Sequence, residues 1–126
     1  MPMGWNVSVY RQSADRSVPA RADAEVATRI AVWQTGLVGL EWIVELVRAG
    51  RAHPLGGDGY PCRYTALATD LIPMIISGPP EARDPWVYDP GDVLSLQWVG
   101  HTLVDRKAAE CCLPDEWLVI ETWDES

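Results

Sequence analysis

The sequence predicts an α+β fold, with a single domain built on a mainly antiparallel sheet of about four to five strands and two to four short helices. Three observations point there. A chain of 126 residues, 48% of them hydrophobic, has the apolar content for one core and too few residues for two. Several segments alternate apolar and polar residues with the period of two that a half-buried strand shows. Between them lie isolated stretches of helical period, without the regular alternation of strand and helix that a parallel sheet requires.

Taken in order, Trp5, Val7 and Val9 alternate with Asn6, Ser8 and Tyr10, which predicts an opening strand. Residues 12 to 24 are polar and read as a loop. Ala24 to Gln34 fits two readings, because Val26, Ile30 and Trp33 fall at helical spacing while Ile30 to Trp33 is apolar enough for a short buried strand. From Val38 to Ala49 the period is helical: Leu40, Ile43, Val44 and Val47 form an apolar stripe, Glu41, Glu45 and Arg48 share the opposite face, and Gly50 supplies the stop. Leu55 to Pro61 is a glycine-rich loop, and Cys62 to Ala68 follows as a strand.

Thr69 can cap a helix over Asp70 to Ser77, with Pro73 near its first turn and Gly78-Pro79-Pro80 ending it. Residues 79 to 92 hold four prolines and Gly91 and predict an ordered surface loop. Leu94, Leu96 and Trp98 alternate with polar residues, and Gly100-His101 can turn that strand back into Thr102 to Val104 as a hairpin. Asp105 can cap a helix through Cys112, stopped by Pro114. Trp117 to Ile120 is apolar on both faces, as a strand covered on both sides would be, and Glu121 to Ser126 returns the chain to solvent.

Charge divides the chain. Residues 64 to 126 carry twelve acidic side chains against three basic, a net of −9, and residues 1 to 63 carry six against seven, a net of +1. A one-signed half attracts surfaces of the opposite sign and repels nucleic acid and anionic lipid. Direct nucleic-acid binding is disfavoured for the same reason, since Arg11, Arg16 and Arg21 lie in or beside a loop with acidic neighbours and Arg106-Lys107 stands alone. No run approaches the roughly 18 apolar residues of a membrane span. The N-terminus shows no basic region followed by an apolar run, and three cysteines, two of them adjacent, do not make a disulfide framework; the expectation is a cytoplasmic protein.

Motifs for chemistry are thin. Gly56-Gly57-Asp58-Gly59-Tyr60 has glycines that could admit an anion to the backbone, but it lacks the Lys-Ser/Thr of a P-loop and leads into no helix. Cys62 with His101 and Asp70 would be the residues for a thiol nucleophile, and nothing local to Cys62 supports one. Two histidines and three cysteines without ligand spacing predict no metal, and no cofactor is implied.

Two acidic, aromatic-bearing segments remain as candidate partner-binding residues. The first places Trp86 and Tyr88 among Glu81, Asp84, Asp89 and Asp92 on the proline-rich loop, where stiff backbone lowers the entropy cost of binding; Trp86 either anchors an interface or folds back over the core. The second surrounds the last strand with Asp115 and Glu116 before it and Glu121, Trp123, Asp124 and Glu125 after it. Carboxylates can take the place of phosphate on a positive groove, so the expected partner is a protein with a basic surface, a toxin or a nucleic-acid-binding complex. The expected activity is inhibition by blockade, of the immunity-protein or phage-inhibitor kind and without catalysis. A small-molecule site or small enzyme around Gly56 to Tyr60, with His53, Tyr64 or His101 lining it, and a homo-oligomeric structural subunit are the alternatives.

Overall fold

A computed structural model describes residues 4–36, 39–56, 61–76 and 99–124. Among them six strands form one sheet: β1 (Gly4–Gln12), β2 (Val26–Gly36), β3 (Ala52–Gly56), β4 (Cys62–Leu67), β5 (Val99–Val104) and β6 (Trp117–Asp124). Three helices accompany them, α1 (Glu41–Arg48), α2 (Ala68–Ile75) and α3 (Arg106–Glu110). The strand order is β3-β4-β6-β1-β2-β5, and every neighbouring pair is antiparallel. The fold class is therefore α+β, with one strand more than the sequence suggests.

Alternation fixes the two faces of the sheet. Val7 and Val9 of β1, Trp33 of β2, Ala66 of β4 and Leu118 and Ile120 of β6 share the first face, together with Tyr64. All three helices close over it. Trp42, Ile43 and Leu46 come from α1, Ala68, Leu71 and Ile75 from α2, and Ala109 from α3, and they join these strand residues in one apolar core. Trp33 and Trp42 meet there with ring centroids 5.9 Å apart.

The second face carries Ser8, Val32, Leu103, Arg63, Thr65, Val119, Glu121 and Trp123. Residues 13 to 25 run across its β4–β6 half. Ala20 N donates to Thr65 Oγ1 at 3.0 Å, Thr65 Oγ1 donates to the Leu118 carbonyl at 2.9 Å, and Trp117 N donates to the Arg16 carbonyl at 2.8 Å. This is why Trp117 to Ile120 reads as covered on both sides.

Several elements differ from the sequence reading. Of the two readings of Ala24 to Gln34, the strand holds; it reaches Gly36, because pairing with β1 on one side and β5 on the other outweighs the helical spacing of three side chains. Ala52 to Gly56 forms a strand where the sequence shows only the approach to a loop, and Pro54 is tolerated because β3 is an edge. α2 begins at Ala68 rather than Asp70, without a side-chain cap, so Pro73 sits inside the helix. In α1 the buried stripe is Trp42, Ile43 and Leu46, and Val44 is 44% exposed. Gly100-His101 makes no turn, since β5 runs continuously through both. Asp105 does cap α3, its carboxylate accepting from Ala108 N at 3.0 Å. β6 extends to Asp124, so Glu121 to Asp124 pair in the sheet rather than leave it.

Candidate functional site

Glu116, expected at a partner surface, lies at 3% exposure where β1, α2 and the 13–25 crossing meet. Its Oε1 accepts from Arg11 Nε at 2.8 Å and faces Arg16 Nε at 3.5 Å, and its Oε2 accepts from Leu113 N at 3.1 Å. Its backbone carbonyl accepts from Ala68 N at 2.8 Å. The carboxylate thus ties residues far apart in the chain to the entrance of α2, and holds the Arg11 guanidinium above its ordinary pKa. The nearby Cys112 thiol is also pushed up, first by burial and then by the Glu116 charge.

Glu121 is likewise turned inward. Its Oε2 accepts from Arg63 Nε at 3.0 Å, while Arg63 Nη1 donates to the Ala22 and Ala24 carbonyls at 3.2 and 2.8 Å, so the pair fastens the crossing segment to the sheet. Trp123 Nε1 donates to Glu121 Oε1 at 3.4 Å, and its ring stands 42% exposed on the second face. Asp115 is exposed at the start of β6, and Asp124 is partly buried at its end. The strand length keeps Asp115 roughly 20 Å from Trp123. The second acidic segment is therefore divided into two internal ion pairs and two separate ends. Glu81, Asp84, Trp86, Tyr88, Asp89, Asp92 and Glu125 lie outside the described residues, as do residues 57 to 60 of the glycine loop.

Beside Trp123 on the second face, β1 places Asn6 and β2 places Gln34 in register, and the next row continues through Ser8 and Val32 to Leu103, which is 52% exposed. A half-polar sheet surface with two large, partly exposed apolar side chains is suited to shape-based contact with another macromolecule. Nothing in the sequence marks Leu103 or Val32 as sharing a surface with Trp123, because the register that brings them together joins strands far apart in the chain.

The thiol arrangement of Cys62, His101 and Asp70 does not assemble. Cys62 on β4 and His101 on β5 have three strands between them, about 19 Å across the sheet, and Asp70 on α2 faces Arg51, which precedes β3. His53 stacks on Trp117 with ring centroids 5.7 Å apart. Among the described residues no group of three or more His, Cys, Asp or Glu is placed to hold a metal ion, and no helix is long and apolar enough to cross a membrane. Comparison of the chain with protein-family models, with curated proteins and with solved structures gives no match.

Proposed function

We propose that this chain is a non-enzymatic binding protein that inhibits or neutralises a protein partner by covering a basic catalytic or nucleic-acid-binding surface, as an immunity-type protein or a phage-encoded inhibitor of a bacterial defence complex does. The observation that supports this best is Trp123. It is a large aromatic held exposed on a sheet face, with its indole steadied by Glu121, inside a chain of net charge −8. A pre-oriented tryptophan loses little side-chain freedom on binding, and interfaces draw much of their affinity from such residues. The net negative charge speeds encounter with a positive surface.

Glu116 and Glu121 act in this reading as the frame, by fixing the crossing segment and the Trp123 indole. The residues that meet the partner are Trp123 and its sheet neighbours, with the acids of the 79–92 segment as the charged complement. A tagged pull-down from bacterial lysate, washed at low and at high salt, identifies the partner; binding is then measured with Trp123→Ala and with Trp86→Ala/Asp84→Asn. Trp123→Ala is expected to weaken binding about tenfold or more. Affinity that ignores both substitutions and the salt concentration would remove this reading.

A further inference from the structure

At the end of β6 remote from Trp123, the segment after β1 and the turn before β6 enclose a cavity of about 290 Å³. That is close to the lower end of small-molecule sites, roughly 300–1,000 Å³. Its charges are sorted by burial. Arg11, Arg16 and Glu116 line it with side chains 18%, 35% and 2% exposed, while Asp15 and Asp115, on the same lining, are exposed. Glu116 is engaged by both its oxygens, which accept from Arg11 Nε and Nη2 at 2.8 and 3.2 Å, and Oε2 also accepts from Leu113 N at 3.1 Å. That exchange balances Arg11 one for one. Arg16 is balanced less closely, since its Nε stands 3.5 Å from Glu116 and gives its single hydrogen to the Gln12 carbonyl at 2.6 Å. What Arg16 can offer a molecule in the cavity is its Nη pair, the edge of a guanidinium that matches a carboxylate bidentately.

The exposed part of the lining has the opposite sign. Asp15 Oδ1 accepts from Ser17 N at 2.9 Å and Ser17 Oγ at 2.6 Å, and these bonds hold its carboxyl below the ordinary carboxylate range. Asp115 adds a second exposed carboxylate. A simple anion would meet these two acids, and a simple cation would meet the Arg16 guanidinium; a zwitterion answers both. Leu113, 65% exposed on the same lining, offers apolar surface to an aliphatic side chain. We propose that this cavity binds a free α-amino acid with an aliphatic side chain, its carboxylate on Arg16, its ammonium on Asp15 and Asp115, and its side chain against Leu113. The site lies at the other end of β6 from Trp123, so it stands independently of partner binding there.

The test is an NMR titration of the ¹⁵N-labelled full chain with L-leucine, following the backbone amides of Ser17 and Leu113. Both report on the lining, Ser17 N–H through Asp15 and Leu113 N–H through Glu116. Saturable shifts with Kd on the order of 1 mM are expected for a ligand of this size. L-Leucinamide lacks the carboxylate and N-acetyl-L-leucine lacks the ammonium, and each should bind about fivefold more weakly or worse. Two variants separate a contact with the ligand from a merely structural role. Arg16→Gln should weaken leucine about fivefold and leave leucinamide no weaker. Asp15→Asn/Asp115→Asn keeps an acceptor oxygen for Ser17 N, and should weaken leucine similarly while leaving N-acetyl-leucine no weaker. The proposal is overturned by amides that ignore leucine, by either analogue binding as tightly as leucine, or by variants that leave leucine binding undiminished or weaken all three ligands alike.

Discussion

Glu116 illustrates how one side chain can act as a structural joint. Its carboxylate oxygens hold Arg11, face Arg16 and accept from Leu113 N, and all of this takes place at 3% exposure. Glu116→Ala would strand the Arg11 guanidinium and the Leu113 amide together. A loss of about 2–4 kcal/mol in urea denaturation is expected, with Glu116→Gln losing less because its amide oxygen still accepts from Leu113 N. Cys112 makes a second residue-level prediction. Burial raises its thiol above the ordinary 9.0, so on raising the pH the unfolded chain loses its thiol proton first. Stability is then full below the unfolded pKa and declines as pH climbs towards the folded one. Tyr64, raised from 10.0 by burial, acts with the same sign at higher pH. Unfolding midpoints of Cys112→Ala should fall less steeply with alkaline pH than those of the parent; equal slopes would assign the effect to Tyr64 alone. The sequence shows Glu116 as one acid in an acidic run. Its arginine partner lies 105 residues earlier, where no local pattern can point to it.

Between elements, the turn from β2 into α1 depends on Thr35. A methyl group placed on Gly39 would lie 1.9 Å from Thr35 Oγ1 and 2.6 Å from its Cβ, and Thr35 is itself buried. A β-branched side chain packed in this way has no open rotamer to retreat to. Gly39→Ala is therefore expected to cost about 2 kcal/mol or more, read as a lowered thermal midpoint with helix content by circular dichroism otherwise kept. Gly50, at φ +75°, ends α1 as its sequence position suggests. Elements with strong local signals, such as the β1 alternation, the α1 period and the Asp105 cap, are legible in the sequence. The sequence leaves β2 open between helix and strand, and its two partners decide it. The elements misread are β3, which survives Pro54 only as an edge, and Gly100-His101, which lie within β5 at a break in its register with β2 rather than at a turn.

For the whole molecule, the antiparallel order places β6 and β1 at the centre and β3 and β5 at the edges. Central strands share their amides with partners on both sides and carry the fully buried Val7, Val9, Val119 and Ile120. Native-state hydrogen exchange should therefore be slowest at β1 and β6, approaching the rate set by global unfolding, and faster along β3 and β5. Exchange at β5 as slow as at β1 would mean that something beyond the described residues protects that edge. The same order explains why the acids of the last strand divide as they do. A central strand has two neighbours, and Arg63 on β4 and Arg11 on β1 each reach an acid that the sequence places at a surface.

The sequence by itself determines the α+β class, the opening and closing strands, the capped helix after β5 and the overall acidity, because these follow from periodicity, turn residues and composition, which are local or additive. Which acids meet solvent, which aromatic stands exposed and which charges line one cavity are decided only by the tertiary structure. Each depends on register between strands distant in the chain, which brings Arg11 to Glu116 and Arg63 to Glu121 and so makes these acids buried, ion-paired fasteners while leaving Trp123 exposed on the second face.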